Sequence, residues 1–173
     1  MAETPNQRDL VASNAAYAAN FKDGDLPTPP SKKYSVVTCM DSRIFPSVAF
    51  GIPIGSAHII RNAGGSASEA LRSILISQHM LGTTEVIVIK HTGCGMLTFS
   101  NADARAQIAK DLGGDNTSVK KLDNVDFLPF TDLEEEVRKD VRFLRESELL
   151  VHGVVVSGWI YEVETGKVKK VDV

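Results

Sequence analysis

Two cysteines and one histidine stand out in this sequence because of where they occur. Cys39 ends an apolar run, and a second apolar run is followed directly by His91-Thr-Gly-Cys94. Thiolates and imidazoles are ligands that zinc prefers, and three protein ligands leave a fourth position open for chemistry. The alternative is that both cysteines are small buried hydrophobic residues. The pattern predicts a catalytic zinc site if the two segments are neighbours in the fold.

An aspartate and an arginine beside the first cysteine extend this hypothesis. Asp41 and Arg43 are two residues apart, close enough for a bidentate ion pair. On an ordinary surface such a pair contributes little to stability. Beside a metal, Arg43 would keep Asp41 ionised and off the zinc, so that Asp41 could accept a hydrogen bond or a proton from zinc-bound water. Asp41 is also an alternative fourth ligand.

The elements that must position these residues follow from the hydrophobic pattern. Residues 85–90 are almost continuously apolar, which is typical of a strand covered on both faces. The predicted strands are 34–39, 57–61, 85–90 and 153–161, with 168–173 pairing back as a hairpin, and the predicted helices are 5–21, 67–81, 101–111 and 131–147. Strands that alternate with helices predict an α/β fold with a mixed, mostly parallel sheet and an antiparallel C-terminal strand. Sites in such sheets form at the carboxyl ends of the strands.

Particular residues predict where two of the helices begin. Ser66 and Thr131 are each followed three residues later by a glutamate, which predicts a capping box at the start of each helix. The polar stretch 113–130 has no pattern that assigns it to a helix or a strand.

Length and composition narrow the possible functions. The chain has 173 residues, a net charge of -3 and 43% hydrophobic residues, which suits one domain, 1–173, with its own core. The excess of acidic over basic residues argues against a protein that coats nucleic acid. No apolar run approaches the ~20 residues of a membrane helix. No secretory signal is visible. We therefore expect a cytoplasmic protein with reduced thiols that binds neither nucleic acid nor a membrane.

The N-terminal arm is predicted to need a partner. Residues 1–30 comprise a helix and a proline-rich connector, and residues 31–173 form the zinc-binding core. The helix carries a loose apolar stripe that includes Leu10, Tyr17 and Phe21. A second copy of the chain could cover that stripe, so we expect a homo-oligomer.

Three segments together resemble the signature of the β-class carbonic anhydrases. The residues that carry the resemblance are Cys39-Met-Asp41-Ser-Arg43-Ile-Phe-Pro46, Arg61-Asn-Ala-Gly-Gly65 and His91-Thr-Gly-Cys94-Gly95. The similarity runs from about residue 34 to residue 97, and the compact length resembles the short branch of the family, which also includes carbonyl sulfide hydrolases. One departure is Gly93, where members of that branch often carry aspartate.

This resemblance implies a site, a topology and an assembly. It implies that Zn²⁺ is held by Cys39, His91 and Cys94, and that Asp41 and Arg43 form the catalytic dyad. It also implies a sheet with strand order 2-1-3-4 and a homodimer or homotetramer.

The implied reaction is addition of water to a small linear heterocumulene through zinc-bound hydroxide. The leading hypothesis is hydration of CO2 to bicarbonate. The alternative is hydrolysis of carbonyl sulfide to CO2 and hydrogen sulfide at the same site. A third hypothesis, a non-catalytic zinc-binding regulatory or structural protein, is less favoured because such a protein would not need the Asp41–Arg43 pair. Gly93 would leave the zinc ligands unchanged but remove a polar group near the pocket.

Overall fold

The computed structural model describes residues 3–113 and 119–173. Residues 1–2 of the predicted arm and residues 114–118 of the unassigned polar stretch lie outside the described residues. In chain order, the elements are α1 (Pro5–Ala18), β1 (Tyr34–Cys39), α2 (Pro46–Ala49), β2 (Ala57–Asn62), α3 (Ala67–His79), β3 (Glu85–His91), α4 (Asn101–Asp111), α5 (Leu133–Arg145), β4 (Val155–Tyr161) and β5 (Val168–Val171), with short 3-10 turns at Ala63–Gly65 and Gly95–Leu97.

The sheet has the predicted topology. Its strand order is β2-β1-β3-β4-β5. Strand β1 lies parallel to both β2 and β3, β3 lies parallel to β4, and β5 pairs with β4 in the antiparallel direction. These pairings confirm the mixed, mostly parallel sheet. Because β1 and β3 are neighbours, the residues that follow their carboxyl ends share one edge of the sheet.

Buried side chains cover both faces of the central strands. On one face, α3 and α5 pack against a cluster that includes Val37, Ile74, Val86, Val88, Val137 and Leu144. On the other face lies a second cluster that includes Val36, Ile44, Ile89, Met96, Phe130 and Tyr161. Burial on both sides explains why β3 is almost continuously apolar over residues 86–89 and why consecutive residues of β1 are buried instead of alternating with exposed ones.

The helix boundaries depart from the predicted ones by a few residues. The Ser66 side chain caps α3 by accepting a hydrogen bond from the backbone N–H of Glu69, as predicted. The predicted cap of α5 was wrong by one residue, because Asp132, not Thr131, has the extended backbone of a cap and accepts from the backbone N–H of Glu135 at 2.9 Å. A carboxylate at this position also favours the positive end of the helix dipole.

Helix α1 is shorter than predicted and lies on the surface. It begins with a capping box between Thr4 and Gln7 and ends at Ala18, so Phe21 follows the helix instead of belonging to it. None of its residues is buried. No helix in the described ranges is both long and apolar enough to cross a membrane.

Candidate metal centre and catalytic dyad

The carboxyl ends of β1 and β3 bring three candidate metal ligands together. The sulfur atoms of Cys39 and Cys94 and a ring nitrogen of His91 all lie within 4.8 Å of one another. The exposed fractions of these residues are 5%, 2% and 1%. Two thiols and one imidazole form a donor set that suits Zn²⁺, and three such ligands leave a fourth position open. The group could therefore hold a metal ion.

The main chain orients His91 for such a role. Its Nδ1 lies 2.9 Å from the carbonyl oxygen of Thr92, which can accept a hydrogen bond only when Nδ1 carries the proton. Nε2 is then the nitrogen with a free lone pair. Within residues 3–113 and 119–173, this buried Nε2 has no hydrogen-bond partner. A buried polar atom without a partner is rare, and a metal ion beside the two sulfurs would satisfy it.

The two cysteines differ in acidity. A hydrogen bond from the Cys94 thiol lowers the pKa of Cys39. Burial opposes this effect, but the nearby His91 ring and the backbone N–H groups of Asp41 and Gly64 lower the pKa further. The same Cys39–Cys94 hydrogen bond raises the pKa of Cys94, and burial adds to this rise. The pair thus favours one thiolate and one thiol. Binding of a metal by both sulfurs would release the remaining proton.

The Asp41–Arg43 ion pair lies next to this group. Arg43 Nε donates to Asp41 Oδ1 at 2.9 Å, and Arg43 Nη2 donates to Oδ2 at 2.7 Å, which is the bidentate geometry predicted from the spacing. Arg43 Nη2 also donates to the carbonyl oxygen of Gly93 at 3.0 Å. Asp41 Oδ2 lies 3.8 Å from His91 Nε2. The carboxylate therefore faces the metal-binding atoms while the guanidinium holds it from the other side.

This pairing fixes the charge of Asp41. The hydrogen bonds from the Arg43 side chain hold the pKa of the Asp41 carboxyl well below its usual range, and the backbone N–H of Arg43 adds to the effect. The same contact raises the pKa of the Arg43 guanidinium. Asp41 is therefore ionised at neutral pH and can accept hydrogen bonds.

Arg61 contributes to the site in a way that the sequence did not predict. Its Nε donates to the carbonyl oxygen of Cys39 at 3.0 Å, and its Nη2 donates to the carbonyl oxygen of Asp41 at 2.7 Å. These bonds fix the loop between the cysteine and the aspartate. The signal in the sequence is a charged residue near the end of an otherwise apolar strand. Its meaning depends on the pairing of β2 with β1, where Arg61 lies opposite Thr38.

A cavity of about 580 Å³ opens over these residues. Three loops line it, at residues 39–43, 63–64 and 93–96. One side carries the Asp41–Arg43 pair, and Met40, Ala63 and Met96 supply apolar surface. The cavity therefore combines a charged side with an apolar wall next to the candidate metal ligands.

The structure corrects the expectation that Gly93 leaves its surroundings without a polar group. A Cβ atom at position 93 would lie 3.9 Å from Glu164 Oε1 and 3.8 Å from Arg43 Nη1. Glu164, in the turn between β4 and β5, is held there by the Thr92 hydroxyl, which donates to its Oε2 at 2.7 Å. A carboxylate from a distant part of the chain therefore lies beside Gly93. Sequence spacing could not reveal it, because Glu164 is 71 residues away from Gly93.

Comparisons with known proteins agree with this geometry. A family model described as carbonic anhydrase matches residues 34–168. Beta-carbonic anhydrase 1 of Mycobacterium tuberculosis is 38% identical over 164 residues, which cover 94% of this chain and 96% of that protein. A solved structure of carbonic anhydrase from Glaciozyma antarctica has a TM-score of 0.93 and 45% identity, covering 98% of this chain and 100% of that one. A carbon disulfide hydrolase from Acidithiobacillus thiooxidans is 33% identical over 162 residues, covering 82% of this chain and 78% of that protein. The chain belongs to the β-carbonic anhydrase family.

Proposed function

We propose that this protein is a zinc enzyme that hydrates CO2 to bicarbonate. The observation that carries the proposal is the buried Nε2 of His91, which has no hydrogen-bond partner among the described residues and lies 3.8 Å from the ionised Asp41, in a ring grouped with two cysteine sulfurs. In this proposal Cys39, His91 and Cys94 would hold the ion. Zn²⁺, when bound, supplies the Lewis acidity that makes water a nucleophile near neutral pH. The two thiolates require a reducing compartment, which supports a cytoplasmic location.

Asp41 is the proposed acceptor for the proton of the reacting water. Its carboxylate is ionised. Oδ1 accepts two hydrogen bonds from Arg43, whereas Oδ2, which lies 3.8 Å from His91 Nε2, accepts one and retains a further lone pair. Because Arg43 holds both oxygens, Asp41 is oriented rather than free to rotate. Arg43 therefore acts as a positioning residue that keeps Asp41 beside the metal ligands without letting it become a ligand itself.

Carbonyl sulfide is the second candidate substrate. It is linear like CO2 and has the same electrophilic carbon, but its sulfur is larger and less polar. The apolar wall with two methionines, Met40 and Met96, and the absence of a side chain at Gly93 favour room for sulfur. The similarity to a carbon disulfide hydrolase also supports a sulfur-containing substrate.

A side-by-side assay of the zinc-loaded enzyme separates these functions. We expect rapid CO2 hydration and measurable release of sulfide from carbonyl sulfide above a heat-killed control. Fast sulfide release with feeble CO2 hydration would make carbonyl sulfide the principal substrate. A fully zinc-loaded protein that turns over neither compound would support the third hypothesis, a non-catalytic zinc-binding protein.

We also propose that the protein functions as a homodimer, with a homotetramer as the alternative. The apolar side chains Leu10 and Tyr17 of α1 are 69% and 54% exposed, so the part of the chain that the structure describes leaves them uncovered. A second copy could provide one. Light scattering at micromolar concentration should give at least twice the chain mass of 18.7 kDa. A monomer mass alone would contradict this proposal.

The positions of the strands and of the buried residues support a division of the chain into an N-terminal arm and a core. Among the residues that the structure describes, every strand of the sheet lies within residues 31–173, and Pro30 is the only buried residue that precedes them. We therefore propose a single zinc-binding domain that the arm of residues 1–30 precedes.

A further inference from the structure

A charged lysine lies buried directly behind the candidate metal ligands. Lys90 precedes His91 in β3, so its side chain points to the opposite face of the sheet. Its Nζ lies 2.8 Å from Asp140 Oδ2 of α5, and the side chains of the two residues are only 2% and 5% exposed. Burial of two charges is unfavourable unless they are paired and fully hydrogen bonded.

The surroundings of Lys90 meet this requirement. In addition to Asp140, its Nζ donates to the carbonyl oxygens of Gly64 at 3.0 Å and Gly65 at 3.2 Å. These three acceptors match the three donors of an ammonium group. The Phe130 ring lies 5.2 Å from Nζ, and Asp140 Oδ2 also accepts from the backbone N–H of Ala67 at 3.1 Å.

The turn that Lys90 binds is itself part of the metal centre. Gly64 lines the cavity together with Cys39. Gly65 has a φ of 60° and packs on β1 so closely that a Cβ there would lie 3.0 Å from the backbone nitrogen of Cys39. One side of the turn therefore contacts a metal ligand, and the carbonyl groups of the same turn point to the lysine.

We propose that Lys90 and Asp140 form a positioning pair for the metal centre. By fixing the carbonyl groups of Gly64 and Gly65, the pair holds this turn against the backbone of Cys39. This inference rests on the zinc-binding function proposed above. A role in stability alone explains the pair poorly, because well-packed apolar residues usually stabilise a core at least as well as a buried ion pair does.

The test is a double variant, Lys90→Met/Asp140→Leu, which removes both charges and keeps side chains of similar size. We expect it to unfold at the temperature of the wild type or above it. It should nevertheless bind zinc about 10–100-fold more weakly in a chelator competition. In the cobalt-substituted protein, the thiolate-to-cobalt absorption band should shift, because the turn that packs against Cys39 is no longer held in place.

A second double variant provides the same test in case the first variant does not fold. Lys90→Met/Asp140→Asn also leaves no buried charge, but it keeps an acceptor for the N–H of Ala67 at the start of α3. We expect the same weakening of zinc binding and the same shift of the cobalt band.

Val88→Ala is the matched control. Val88 lies two residues before Lys90 on the same face of β3 and is fully buried, but its side chain forms no hydrogen bond. We expect this variant to lower the unfolding temperature while it leaves the zinc affinity and the cobalt spectrum unchanged.

Two outcomes distinguish failure of this inference from failure of the proposed function. Wild-type zinc affinity and a wild-type cobalt spectrum in both double variants would overturn the positioning role alone. Absence of zinc binding by the wild-type protein would overturn the proposed function and this inference with it.

Discussion

The metal-binding edge of the sheet and the N-terminal helix differ in how far contacts within the chain determine their structure. At the sheet edge, Cys39, His91 and Cys94 are buried, and the loops around them are fixed by hydrogen bonds from Arg43 and Arg61. In α1, by contrast, no residue is buried. Side chains at the edge thus have positions set by their own chain, whereas the apolar side chains of α1 need a surface from outside it.

This difference predicts two kinds of response to substitution. A change at the sheet edge alters geometry and should affect chemistry or stability in a single chain. A change in α1 should act only when a second chain packs against it.

Asp41→Asn should lower the rate of CO2 hydration by about 10²–10⁴-fold, because the amide cannot accept a proton. The zinc content should not change, since Asp41 is not one of the three proposed ligands. Stopped-flow kinetics and metal analysis on the same preparation measure both quantities. A variant with the wild-type rate would show that Asp41 is structural.

Gly65→Ala should destabilise the fold and weaken the metal centre. A left-handed backbone costs a residue with a Cβ about 1–2 kcal/mol, and at this position the new Cβ would also lie 3.0 Å from backbone atoms of Thr38 and Cys39. Gly82→Ala is the matched control, because Gly82 also has a positive φ but has nothing within 4 Å of the added atom. Denaturant unfolding should show a larger loss for Gly65→Ala, and equal losses would contradict the proposed tight packing of this turn.

The contribution of the Asp41–Arg43 pair to stability should depend on pH. Hydrogen bonds from Arg43 hold the pKa of Asp41 below its unfolded value of about 3.9. A depressed carboxyl pKa means that the pair stabilises the fold above that value and loses this contribution as the pH falls toward the folded-state pKa. Wild type and Asp41→Asn should differ in unfolding free energy by about 1 kcal/mol or less, because the ion pair is accessible to solvent. This difference should be constant from pH 9 to pH 6 and shrink below pH 4. A difference that changes between pH 9 and pH 6 would contradict the assigned charge state.

Tyr17→Ser should have the smallest effect on a single chain. Because Tyr17 is exposed, the unfolding free energy of the monomer should change by no more than about 0.5 kcal/mol. The same change should raise the dissociation constant of the dimer, measured by sedimentation at several concentrations. A large destabilisation of the monomer would mean that α1 packs on its own chain.

The sequence predicted those features that depend on local pattern. Strand β1 was predicted at its observed limits, because Tyr34–Cys39 is rich in aromatic and β-branched residues and a proline-rich connector precedes it. The geometry of the Asp41–Arg43 ion pair was also predicted, since two residues so near each other in a loop have few ways to pair.

The sequence did not predict features that depend on distant partners. Lys90 looked like the polar end of an apolar strand, and only the packing of α5 on the sheet brings Asp140 to it. Glu164 reaches the surroundings of Gly93 through the β4–β5 turn, whose position depends on the whole sheet. The predicted cap of α5 was wrong for another reason, because aspartate caps a helix as well as threonine does and the backbone entering the helix places Asp132 at the cap.

The most direct test of the proposed zinc enzyme measures metal content and CO2 hydration together in the wild type and in Cys94→Ser. We expect about one zinc ion per chain and rapid hydration in the wild type, because the three donor atoms converge on one point. The variant should lose most of both, since zinc prefers the thiolate to the hydroxyl. Full zinc occupancy and wild-type turnover in Cys94→Ser would contradict the assignment of the metal centre.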